Sequence, residues 1–128
     1  DVDERLDLAI IDRAQGVIVG EVVLNEFDQA ANAANFRILI SASGRGRGLG
    51  SEATRLILSY GFEALGLHRI ELGVFAFNPR AQYVYQKVGF VVEGVKRDAF
   101  CFDGQYSDDI LMSILDYEWS AHRGYPKP

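Results

Sequence analysis

The stretch "SASGRGRGLGSEA", Ser41 to Ala53, alternates glycines with Arg45 and Arg47 directly before an apolar-periodic run. A loop passing from a strand end into a helix presents unpaired backbone N–H groups and the positive end of the helix dipole, which together suit an anion. Glycines let a phosphate approach the backbone, and the two guanidinium groups add charge-assisted contacts. The chain has 13 Lys+Arg against 18 Asp+Glu, a net charge of -5, so these arginines serve one local anion rather than a broad basic surface. Spacing separates the phosphate-binding patterns. The Gly-Lys-Ser/Thr of a Walker A loop is absent. "GLGSEA" meets a dinucleotide fingerprint formally, but the acidic residue at the required distance, Glu71, falls inside its strand rather than at its end. A third pattern, Gln/Arg-x-x-Gly-x-Gly/Ala, is met by Arg45, Gly48 and Gly50. The bland alternative is a flexible glycine turn with solvated arginines.

A second constellation lies downstream in "FNPRAQYVYQKVGF", Phe77 to Phe90, with Asn78, Ala81, Tyr85, Lys87, Gly89 and Phe90. With both stretches in this order, the sequence resembles the GNAT superfamily of acetyl-CoA-dependent N-acetyltransferases. It is most similar to the branch that includes ribosomal-protein N-terminal acetyltransferases. The resemblance runs from about Ala9 to Trp119. It implies a loop that wraps the pyrophosphate of coenzyme A, assigned to Arg45, Gly46, Arg47, Gly48, Leu49, Gly50 and Ser51. It also implies that the backbone of Leu39, Ile40 and Ser41 binds the pantetheine arm like an added strand. Tyr85 is then the general acid for the departing thiolate and Asn78 a hydrogen-bond partner of the coenzyme, with Lys87 near a phosphate. A thioester is already activated, so such an enzyme must mainly hold it, present a neutral amine, steady the oxyanion and protonate the thiolate.

Each of these residues also has a structural reading. Tyr85, like Tyr83, can be an aromatic packing a helix. Asn78 can simply cap the helix that Pro79 begins, and Lys87 can be solvated. For the general base, Glu71 leads as the acidic residue on the strand across the expected slot, Glu21 is second, and water can relay the proton in place of either. His68 and His122 lack partners at metal or triad spacing, and no metal site is expected. Asp108 and Asp109 are adjacent in a strand, so their side chains point to opposite faces and form no catalytic pair.

These residues need a scaffold, and the periodicities supply one. "LAIIDR" and "VIVGEVVLNEF" flank Gly16 as an antiparallel hairpin, and "FRILI" alternates as a third strand after the polar stretch "DQAANAAN". From Ser51 the apolar positions recur at three- and four-residue spacing, predicting a helix that ends near Gly66. "HRIELGVFAF" is a strand stopped by Asn78 and Pro79, and "PRAQYVYQKVG" is a short helix closed by Gly89. From Phe90 two β-rich runs turn at Asp103-Gly104 and continue to Trp119, leaving a tail over 120–128. The fold class is α/β (α+β): a mixed, mostly antiparallel sheet in the order β-β-β-α-β-α-β-β. The resemblance adds a splayed strand pair as the acyl-CoA slot.

At 128 residues the chain is read as one domain, 1–128. No apolar run approaches the roughly 20 residues of a membrane span. One cysteine, Cys101, makes no internal disulfide, which favours a reducing, cytoplasmic setting. Neither nucleic acid nor membrane is an expected partner, and an edge strand leaves room for a homodimer. The chain starts at Asp1, and the strand and helices that precede the hairpin in this superfamily are not in the sequence. The expected function is therefore acetyl transfer from acetyl-CoA to a primary amine, either a small molecule or a protein N-terminus. The alternative is a non-catalytic acyl-CoA-binding module with an incomplete acceptor wall.

Overall fold

The computed structural model describes residues 5–41 and 48–122. It contains six strands, mostly antiparallel, with helices between them, in two compact units: Asp1–Ile70 and Glu71–Pro128.

In the first unit β1 (Arg5–Asp12), β2 (Val17–Asp28) and β3 (Ala33–Ile40) form an antiparallel meander, with Leu8 opposite Val22 and Val22 opposite Ile38. Asp12 organises the first turn. Its carbonyl accepts Gly16 N–H at 2.7 Å, its carboxylate accepts Ala14 N–H at 3.0 Å, and Gly16 takes φ 70, a backbone region that glycine enters without strain. The second turn pivots on Asn32 at φ 53, whose carbonyl accepts His68 N–H at 2.7 Å while its side-chain amide donates to Gly66 O at 2.7 Å. β3 begins earlier than its alternating pattern suggested. Ala33 and Ala34 are buried at 7% and 2%, so small residues that read as loop are core.

Helix α1 (Leu49–Ser59) buries Ala53, Thr54, Ile57 and Leu58; of the expected stripe Ala53 and Ile57 are buried, whereas Leu56 and Tyr60 are exposed at 66% and 43%, so the buried face is turned toward Thr54 and Leu58. It starts at Leu49, two residues before the expected Ser51, and its end widens into a π-helical turn, Tyr60–Ala64, with Leu65 N–H bonded to Tyr60 O at 3.0 Å. Gly61 packs closely on Ile70 there: a Cβ would stand 2.7 Å from Ile70 Cδ1 and make that side chain shift. Val23, Leu24, Phe36, Leu58 and Ile70 form the heart of this unit's core. Between β1 and α1 runs an apolar groove of about 590 Å³, walled by Leu8, Ile10, Ala53, Leu56, Ile57 and Tyr60.

The second unit begins within β4 (Arg69–Phe75) and continues through α2 (Pro79–Val88), β5 (Val91–Phe102), β6 (Gln105–Leu115) and α3 (Asp116–His122). β6 lies between β4 and β5. The β5–β6 hairpin turns at Asp103 (φ 52) and Gly104 (φ 77), the two left-handed positions of a type I′ turn. Asp98 also has a positive φ, 49, in a bulge where β5 passes from Lys96, opposite Asp109, to Phe100, opposite Ser107. Leu72, Val74, Val88, Phe90, Met112, Ile114 and Trp119 are the core.

The end of the chain departs from expectation. The last strand stops at Leu115, and Asp116–His122 is helical where strand to Trp119 and then tail had been expected. Glu118 explains the switch, since its carboxylate accepts Leu115 N–H at 2.9 Å and caps the new helix. Among the described residues no helix is long and apolar enough to cross a membrane.

Candidate active site

The cofactor-loop residues fall on both sides of the described boundary. Arg45, Gly46 and Arg47 lie outside the described residues, whereas Leu39 and Ile40 end β3, Ser41 follows it, and Gly48 through Ser51 open α1. Leu39 is 59% exposed and Ser41 N–H donates to Val19 O at 2.7 Å. Gly48 is the N-cap of α1 at φ 77 and supplies no side-chain cap, so the first-turn N–H groups of Leu49, Gly50 and Ser51 have no acceptor within the helix. A Cβ on Gly50 would stand 3.0 Å from Ile40 Cδ1, so glycine brings the first turn against the end of β3. Thr54, fully buried, fastens that turn by donating from Oγ1 to Gly50 O at 2.7 Å. A strand end and a helix N-terminus thus converge. Backbone N–H groups at such a helix start could hold an anion such as a pyrophosphate.

The remaining site residues belong to the second unit. Asn78 accepts Ala81 N–H at 3.2 Å and caps α2, with Pro79 at the first helical position. From that start the helix turns its two tyrosines to different surroundings. Tyr83 is 64% exposed, which removes it from the core that the sequence allowed it, and Tyr85 is half-buried. The Tyr85 ring meets Phe90 edge-on at 5.9 Å. Burial pushes its phenol above the usual 10.0, so it keeps its proton throughout the neutral range. Lys87 is exposed in the last turn of α2.

Glu71 is exposed on β4, on the face opposite buried Ile70, Leu72 and Val74. Glu21 sits half-buried in β2 across from Leu39, in the first unit. Among the described residues no group of three His, Cys, Asp or Glu side chains could hold a metal ion.

Sequence reasoning set Asp108 and Asp109 aside, and the fold uses both. The Asp108 carboxylate accepts Asp98 N–H at 2.9 Å and its carbonyl accepts Ala76 N–H at 2.9 Å. The Asp109 carboxylate lies over Gly73, where a Cβ would stand 2.7 Å from Oδ1. Gly73 was the available signal, because an isolated glycine inside a strand marks a close approach. Phe75, Phe77 and Phe100 form an aromatic cluster that no motif announced.

The profile described as an acetyltransferase (GNAT) domain matches residues 1–91. Spermidine N(1)-acetyltransferase of Escherichia coli (strain K12) is 32% identical over 125 residues, covering 98% of this chain and 67% of that protein. The Vibrio cholerae spermidine N(1)-acetyltransferase is 34% identical over 86% of this chain and 64% of its own length. A putative ribosomal N-acetyltransferase of Bacillus subtilis, YdaF, is 29% identical over 84% of this chain and 59% of its own. Among solved structures, a chimera of the Vibrio cholerae spermidine N-acetyltransferase SpeG and hSSAT superposes with a TM-score of 0.86 at 33% identity, covering 91% of this chain and 69% of that one.

Proposed function

Because the chain belongs to the GNAT acetyltransferase family, whose members move an acetyl group from acetyl-CoA to an amine, we propose that it does so as one catalytic domain, with Tyr85 as general acid and a small-molecule amine as acceptor. The observation that carries this reading is Tyr85 itself: a half-buried phenol with its pKa raised by burial, on a helix started by Asn78-Pro79. Arg45 through Ser51 hold the pyrophosphate, and the backbone of Leu39, Ile40 and Ser41 guides the pantetheine arm. Asn78 and Lys87 touch the coenzyme from α2.

The acceptor nitrogen attacks the thioester carbonyl, so a C–N bond forms as the C–S bond breaks and the sulfur leaves with the electron pair. Tyr85 passes its hydroxyl proton to that sulfur. The same desolvation that raises the phenol's pKa also raises the basicity of a thiolate forming beside it, so the transfer stays matched. Glu71, or water held by it, takes the proton that the acceptor ammonium loses, and solvent reprotonates Tyr85. The relatives named for spermidine favour a small amine over a protein N-terminus, and the matching acid favours catalysis over a non-catalytic binding module.

Calorimetry with acetyl-CoA and thiol release over a panel of amines and N-terminal peptides tests this. Affinity for acetyl-CoA is expected to fall at least tenfold when Arg45 and Arg47 are both changed to Ala, since each removes a charge-assisted phosphate contact worth about 1.5–3 kcal/mol. Binding without thiol release from any amine would leave only the non-catalytic module, and release from peptides alone would move the acceptor to a protein N-terminus.

A further inference from the structure

Over the solvent-facing side of β4 lies a carboxylate of β6 that acetyl transfer as described leaves unused. Ile70, Leu72 and Val74 are buried, so Glu71, Gly73 and Phe75 share the other face. On that face Asp109 of β6 occupies the space that a side chain on Gly73 would fill, with Oδ1 and Oδ2 at 2.7 and 3.1 Å from the position of a Cβ. Two strand residues separate Glu71 from the site of the Asp109 carboxylate by about 7 Å. Next along the strand comes a shelf of aromatic rings. Phe100 lies 4.4 Å from Phe75 and 5.9 Å from Phe77, and Phe75 stacks with Phe77 at 5.5 Å. Phe77 is 64% exposed, so the shelf is open to a ligand. Asp108 sets its position: the contacts to Asp98 N–H and Ala76 N–H tie the β5 bulge, which carries Phe100, to the end of β4.

We propose that Asp109, seated on Gly73 beside Phe75, Phe77 and Phe100, anchors a second ammonium group of the acceptor, which makes the acceptor a short alkyl diamine or polyamine. The proposal rests on the amine-acetylation reading and adds the residue that selects among amines. A carboxylate next to aromatic rings suits an alkylammonium in two ways: the charges attract, and the ring quadrupole faces the cation. The methylenes between the nitrogens lie on apolar ring carbon. With one ammonium directed to Glu71, the second reaches Asp109 along the strand, whereas a monoamine has nothing to offer Asp109. Lys96, cross-strand partner of Asp109, is an exposed competitor whose pairing with it is worth little in water.

Calorimetry of spermidine and n-butylamine with the CoA-loaded chain, beside thiol-release kinetics for both amines, tests the anchor. Asp109→Asn, nearly isosteric, is expected to weaken spermidine binding and raise its KM about tenfold while leaving n-butylamine kinetics unchanged. Gly73→Ala, which pushes the carboxylate away with its charge intact, should shift spermidine in the same direction. Added salt should cost the wild type more spermidine affinity than it costs Asp109→Asn. A spermidine-to-butylamine preference that survives in an Asp109→Asn protein with wild-type thermal unfolding overturns the proposal, as does failure of spermidine to bind. If butylamine is acetylated without any preference for spermidine, the anchor falls and acetyl transfer stands. If spermidine binds through Asp109 while no amine releases thiol, the anchor stands and acetyl transfer falls.

Discussion

Replacing Tyr85 with Phe removes the hydroxyl and keeps the ring. The aromatic ring keeps its edge-on contact with Phe90 at 5.9 Å, and the backbone bonds that close α2, Gly89 N–H and Phe90 N–H to Tyr85 O at 3.1 and 2.9 Å, do not involve the side chain. The fold and coenzyme affinity should therefore survive. General acid catalysis is worth roughly a hundred- to ten-thousandfold. Tyr85 is half-buried rather than sealed, so water can deliver part of the missing proton and the loss should sit near the lower end, about a hundredfold in kcat or about 2.7 kcal/mol. Thiol-release kinetics at saturating amine, with acetyl-CoA affinity measured by calorimetry, separates the two effects. A kcat that barely moves, or a loss lying wholly in acetyl-CoA affinity, would refute the role of Tyr85. Alkaline unfolding supplies an independent readout. The folded chain holds the Tyr85 proton more tightly than the unfolded chain does, so this contribution to stability is complete below pH 10.0 and declines as the pH rises through the folded value. Tyr85→Phe should lose less stability than wild type over that alkaline range.

Two further outcomes probe the supports of the site. Thr54→Val keeps the shape of a fully buried side chain but leaves Gly50 O without its 2.7 Å partner. Urea unfolding should show a loss of about 1 kcal/mol, and acetyl-CoA affinity should drop with it as the first turn of α1 loosens. Asn78→Ala removes the cap on Ala81 N–H and should cost about 1 kcal/mol in the same assay. If Asn78 also bonds the coenzyme, acetyl-CoA affinity falls more than it does for Ser, a capping residue, at the same position.

The sequence alone determined what depends on neighbours along the chain. Gly16 and Asp103-Gly104 marked hairpins because their positive φ values are a single-residue property. The stripe Ala53, Leu56, Ile57 and Tyr60 marked a helix, and Asn78-Pro79 its successor, because periodicity and capping are local. The paired motifs carried the family resemblance, and the roles proposed for Arg45 to Ser51 and for Tyr85 come from it. Only the tertiary structure separated Tyr83 from Tyr85, which differ in what surrounds α2 rather than in residue type. It alone made core of Ala33 and Ala34, and it ended β6 at Leu115 through a cap from Glu118. It also brought Asp109 onto Gly73 and Phe100 onto Phe75. Those meetings depend on strand order and on the β5 bulge that shifts the register after Lys96. A period-two pattern assigns each residue to a face, but the neighbour it meets there is decided by how distant strands align.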